Sequence, residues 1–165
     1  MIRLTLLVAY LLFLVSAQMP STTEWRGLSP IKSTRMDVER RLGAPDQKIE
    51  NEQMTYYFPD AVVVFYFTSN PKCRQKLPYT SWDVTRDTVT AIDVRLRHQP
   101  LISETGIDLT KFEKTKGDYD LAGHYYYWKP EDGFAIEVGN KYVAGYHYGP
   151  GSKEKSLRCE AGNQR

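Results

Sequence analysis

Residues 124–133 read HYYYWKPEDG. In a strand, successive side chains point to opposite faces, so four consecutive aromatics must serve two surfaces. Tyr125 and Tyr127 share one face, and Tyr126 and Trp128 share the other. KPEDG supplies turn residues, and FAIEV (134–138) then resumes the alternation of a half-buried strand. The stretch is one arm of a hairpin. The fold depends on which pair enters a core, and the function depends on what the other pair meets.

The same pattern recurs upstream. MTYYF (54–58) and AVVVFYFT (61–68) form a second hairpin around Pro59-Asp60. TVTAIDVRL (88–96) adds a strand with Ile92, Val94 and Leu96 on one face and Asp93 and Arg95 on the other. Before the first hairpin, STRMDVERRLGAP predicts a helix over 35–42. Thr34 and Asp37 make a variant capping box. Gly43 and Pro45 end the helix. TGIDLTKFEK (105–114) offers a second capped segment with Ile107, Leu109 and Phe112. Asp37-Val38 recurs as Asp108-Leu109 about 71 residues later, and Val63 and Phe65 recur as Phe134 and Ile136 at the same step. Tyr56-Tyr57-Phe58 aligns with Tyr126-Tyr127-Trp128 at a step of about 70. Ile92-Asp93-Val94 aligns with Tyr146-His147-Tyr148.

These readings predict an α+β fold of two tandem helix-β-β-β units, with antiparallel sheets and helices on one face. Residues 31–100 form the first unit, with a long loop at 69–87. Residues 101–165 form the second unit and a C-terminal tail. Residues 18–30 are a flexible lead-in on which Trp25 and Leu28 can pack. The alignment assigns Tyr56, Phe58, Tyr126 and Trp128 to the helix-covered face. Tyr57, Tyr66, Tyr125, Tyr127 and His147 fall on the opposite face and are the candidate binding residues, joined by Val62, Val64, Asp93, Arg95 and Glu137. An aromatic second face is either an interaction surface or a second packed layer.

The chain opens MIRLTLLVAYLLFLVSAQ, in which Arg3 precedes an apolar run that is too short to span a bilayer. Small residues follow at 15–17, so residues 1–17 read as a cleaved secretory signal and the mature protein as periplasmic or secreted. No later segment is apolar enough to span a membrane. The formal net charge is +2 across 165 residues, which leaves no basic face of the kind nucleic acid requires. Export makes Cys73 and Cys159 candidates for one intramolecular disulfide. His98, His124 and His147 lack metal-ligand spacing. No phosphate loop or nucleophile elbow is present, and no cofactor is expected. Glu131-Asp132 lies in a Pro/Gly turn, where acids serve as turn formers.

The helix motif STRMDVERRLGAPD resembles that of the small lipoprotein of the bacterial outer-membrane barrel-assembly machinery. In that family a capped helix precedes a three-stranded antiparallel sheet. The doubled unit resembles the β-lactamase inhibitory protein fold, whose sheet binds a partner protein. With the aromatic outer face and the lack of a recognisable catalytic motif, the expected function is that of an exported, non-enzymatic module that binds a protein or peptide on its aromatic sheet face. The alternative is a carbohydrate-binding module or small hydrolase acting on wall or extracellular polysaccharide, with Tyr and Trp stacking on sugar rings.

Overall fold

The structure, a computed structural model, describes residues 20–49, 52–68, 82–116 and 123–159. The expected signal at 1–17, Cys73 and most of the 69–87 loop lie outside them.

The helix α1 spans Arg35–Leu42. Asp37 N–H donates to Thr34 Oγ1 at 3.3 Å, and Thr34 N–H donates to the Asp37 carboxylate at 2.9 Å. Two of the donors orphaned at a helix start are thereby satisfied. The Thr34 hydroxyl and then the Thr34 amide, both donating to Asp37, hold its carboxyl below the usual carboxylate range. This part of the cap therefore persists above that range and weakens as acid protonates Asp37. Thr34→Ala removes it and is expected to cost about 1 kcal/mol in urea denaturation. An unchanged midpoint would show that the cap is idle.

Among the described residues eight strands follow: β1 Gln47–Ile49, β2 Gln53–Tyr57, β3 Ala61–Phe67, β4 Val89–Leu96, β5 Glu113–Lys116, β6 His124–Lys129, β7 Phe134–Gly139 and β8 Tyr142–Tyr148. They form one antiparallel sheet in the order β1-β2-β3-β4-β8-β7-β6-β5. Two four-stranded meanders thus meet edge to edge through β4 and β8, where Asp93 pairs with His147 and Val94 with Tyr146.

This overturns the expected α+β arrangement of two helix-plus-sheet units. Among the described residues, the second half has no helix comparable to α1. Its α2 is a single turn, Ile102–Thr105, and Gly106 ends it at φ 67°, a left-handed conformation that favours glycine. Asp108 then caps one 3-10 turn at Leu109–Lys111, after which Phe112 is extended and leads into β5. Each half also gains an exposed edge strand, QKI in β1 and EKTK in β5. Neither alternates, so neither announces itself as a strand. Charged, short edges of this kind discourage pairing with other chains.

One core runs beneath both meanders. It joins Val38 of α1 and Leu28 to Met54, Tyr56, Val63, Phe65, Ile92, Val94, Phe134, Ile136, Val143 and Tyr148. Trp25 packs at 5.6 Å from Phe58 and 5.9 Å from Phe65, and the Arg26 guanidinium lies over the Trp25 and Phe58 rings. Residues around Trp25 and Leu28 are therefore tied to the core face, as Ile31 is through its amide bond to the Val89 carbonyl at 2.7 Å. Burial raises the Tyr148 hydroxyl far above its usual range. Trp82 bridges to Arg158, and Asp83 N–H donates to the Leu157 carbonyl at 2.7 Å. The chain leaving the long loop is thus stitched to the tail that carries Cys159, whose sulfur is not free.

Candidate binding face

Directly opposed residues of an antiparallel pair share a face. The registers of the seven strand pairs therefore fix which side chains stand on the face away from α1. One row crosses the sheet as Thr55, Val64, Asp93, His147, Ala135, Trp128 and Glu113. The next runs Tyr57, Val62, Arg95, Gly145, Glu137, Tyr126 and Thr115.

The centre of this face is built around His147. Its Nδ1 is hydrogen-bonded to Asp93 Oδ1 across the β4–β8 junction. Its ring stacks on Trp128 at a centroid distance of 5.9 Å and an interplanar angle of 27°. Ala135 lies opposite both residues, on the strand between them. A methyl side chain there leaves room for the two rings to meet above β7. Nearby, His124 Nδ1 lies 3.8 Å from Glu137 Oε1. Its ring covers Gly139, where a Cβ would come within 2.7 Å of the imidazole. Each histidine is thus placed over a small residue and beside a carboxylate. Such fixation lowers the ordering cost of a later contact.

Small-residue packing also governs the junction itself. A Cβ on Gly145 would lie 2.4 Å from the Val94 carbonyl oxygen. Glycine here lets β4 and β8 approach closely, and so brings Asp93 and His147 within bonding distance.

Three of the five predicted binding residues stand on this face. Tyr57 is 45% exposed, and Tyr66 and His147 are half-buried. Tyr125 and Tyr127 do not stand there. Tyr125 opposes Val138, Tyr127 opposes Ile136, and Tyr127 packs against the core. Lys114 Nζ lies 3.6 Å from the centroid of the Tyr125 ring. Tyr126 and Trp128, which were assigned to the helix-covered side, stand on the open one instead. The cause is a slip of one residue. Aligning the aromatic stretch at a step of 70 reverses every side chain in it, because strand periodicity is two. The step that relates Val63 to Phe134, applied throughout, would have placed Tyr127 with Tyr56 and Trp128 with Tyr57.

A leucine at Ala135 would intrude between the rings. Ala135→Leu is expected to separate Trp128 from His147 and to cost about 1–3 kcal/mol by overpacking. The loss of Trp128–His147 cross-peaks in a nuclear Overhauser spectrum would report the separation, whereas their retention would show that Ala135 is not the spacer.

Asp132 accepts hydrogen bonds from Lys129 Nζ at 2.5 Å and from Thr22 Oγ1 at 2.7 Å. The Lys129 bond, with a smaller contribution from Thr22, holds its carboxyl below the usual range. These bonds tie the 130–133 turn to the N-terminal segment beside a cleft of about 130 Å³ that is lined by Lys32, Glu131, Gly151 and Lys153. Among the described residues, no cluster of three His, Cys, Asp or Glu is arranged to hold a metal ion. No helix of the described residues is long and apolar enough to cross a membrane.

No protein-family model matches the chain, and no curated protein sequence does. Among solved structures it is similar to a DUF4309 family protein (YjgB) from Bacillus subtilis subsp. subtilis str. 168. The TM-score is 0.50 at 14% sequence identity, over 81% of this chain and 87% of that one. At that identity the likeness concerns the fold alone.

Proposed function

We propose that the chain is an exported, non-enzymatic module that holds a protein partner on the face opposite α1. The observation that carries this reading is the fixed centre of that face, where Asp93 and Trp128 hold the His147 ring between them. Around it lie Tyr57, Tyr126, Val62, Val64 and the exposed Arg95. Rigid aromatic groups and arginine are enriched among the residues that carry most of the energy of protein interfaces. The valine strip favours protein over sugar, because polysaccharide binding calls for a row of free ring faces and one face of Trp128 is already occupied by His147. The signal-like segment at 1–17 supports export. In an oxidising compartment we further propose that Cys73 pairs with Cys159, in keeping with the stitching of Asp83 and Trp82 to Leu157 and Arg158.

The test is position-dependent photo-crosslinking in the producing cell. A benzophenone amino acid replaces Tyr57 on the open face or Met36 on α1, both exposed. A discrete protein adduct from position 57, absent from position 36, is the expected result. Equal adducts from both positions would contradict the reading, and adducts with polysaccharide alone would replace it with the sugar-binding one.

A further inference from the structure

The open face carries its charge unevenly. Among the described residues, Asp93, Glu113 and Glu137 occupy its rows, against the single guanidinium of Arg95. The whole chain, in contrast, is +2. The carboxylates are interleaved with Tyr57 and Tyr126, whose ring faces attract cations. Two of the three carboxylates face a histidine, Asp93 through His147 and Glu137 through His124. The third histidine of the chain, His98, is exposed and lies beyond the end of β4.

Resting on the binding reading above, we propose that the partner presents a lysine- and arginine-rich segment to this face, and that protonation of His124 and His147 releases it. Carboxylates between aromatic rings complement such side chains by charge and by cation–π attraction. Histidine is the side chain whose charge ordinarily changes between about pH 5 and 8. Each proton taken up places a positive charge beside a carboxylate that would otherwise meet the partner. Among the described residues, the charged and titratable groups that the strand registers bring to the histidines' face include Asp93 and Arg95 from β4, Glu137 from β7, Tyr126 from β6 and Glu113 from β5, with Tyr66 and Tyr57 further out on β3 and β2. Asp93, Glu113 and Glu137 are the acids that attract the partner, so a proton on either histidine lowers the negative charge that the face offers it.

The test titrates the full chain with two short probe peptides of equal length, one rich in Lys and Arg and one rich in Asp and Glu, by calorimetry. The basic peptide is expected to bind at a pH of about 7.5 and about five- to tenfold more weakly at about 5.5. Glu137→Gln should weaken it severalfold at the higher pH and flatten the pH dependence. Tighter binding of the acidic peptide, or basic-peptide binding indifferent to both pH and Glu137→Gln, would overturn the proposal. So would a failure of both peptides to bind, in which case the Tyr57 crosslink reports on the face separately. Acidic-peptide binding that is lost in Tyr57→Ser overturns the basic partner and leaves the face as the docking surface. Basic-peptide binding unchanged by Tyr57→Ser and Glu137→Gln places the site elsewhere and overturns both readings.

Discussion

Replacing Phe65 with alanine is expected to lower the unfolding free energy by about 3–5 kcal/mol. Phe65 is fully buried on β3, between Met54 of β2 and Ile92 of β4. Its ring meets Tyr56 edge-on at 5.8 Å and Trp25 at 5.9 Å. It therefore joins three things: the first meander, the N-terminal segment that covers it, and the central strand leading to the second meander. A domain of this size has a net stability of about 5–15 kcal/mol, so the change consumes much of it. Val64, the next residue along, points to the open face and is half-buried. Val64→Ala should cost clearly less in the same urea titration. If the two variants unfolded at the same denaturant concentration, both faces of β3 would be core and no open binding face would exist.

The second large effect belongs to the proposed Cys73–Cys159 bond. It would close a loop of about 87 residues, and removing a native disulfide from a small exported domain typically costs about 2–5 kcal/mol. The described contacts beside it are few: the bridge between Trp82 and Arg158 and the bond from Asp83 to the Leu157 carbonyl. They anchor the tail weakly once the covalent link is gone. Cys159→Ser, and oxidised against reduced wild type, should show the same drop in melting temperature. Two titratable thiols in the native oxidised protein would refute the pairing.

How much of this was legible beforehand varies with the range of the interaction. The helix at 35–42 could be read because Thr34, Asp37 and Gly43 act locally. The β2–β3 and β6–β7 hairpins could be read from alternation and turn residues. The joining of β4 to β8 could not, because it depends on Asp93 and His147 finding each other across more than fifty positions. β1 and β5 were invisible because exposed edges need no apolar alternation. The missing second helix was foreshadowed by Gly106, which ends α2 after one turn and leaves Asp108 only a short 3-10 turn to cap. Of the candidate face, Tyr57, Tyr66 and His147 stand where the alternation puts them, while the alignment sets Tyr126 and Trp128 on the wrong side by one residue. Ala135 and Gly139, which make room for the two histidine rings, carry no signal in a sequence read alone.

The composition of the open face depends on the parity of residues 124–129. A nuclear Overhauser spectrum of the folded chain tests it directly. The Trp128 indole should show cross-peaks to the His147 ring and the Ala135 methyl, and the Tyr127 ring should show them to Ile136 and Tyr146. Cross-peaks from Trp128 to Ile136, with Tyr127 against His147, would reverse the faces and remove the proposed binding surface.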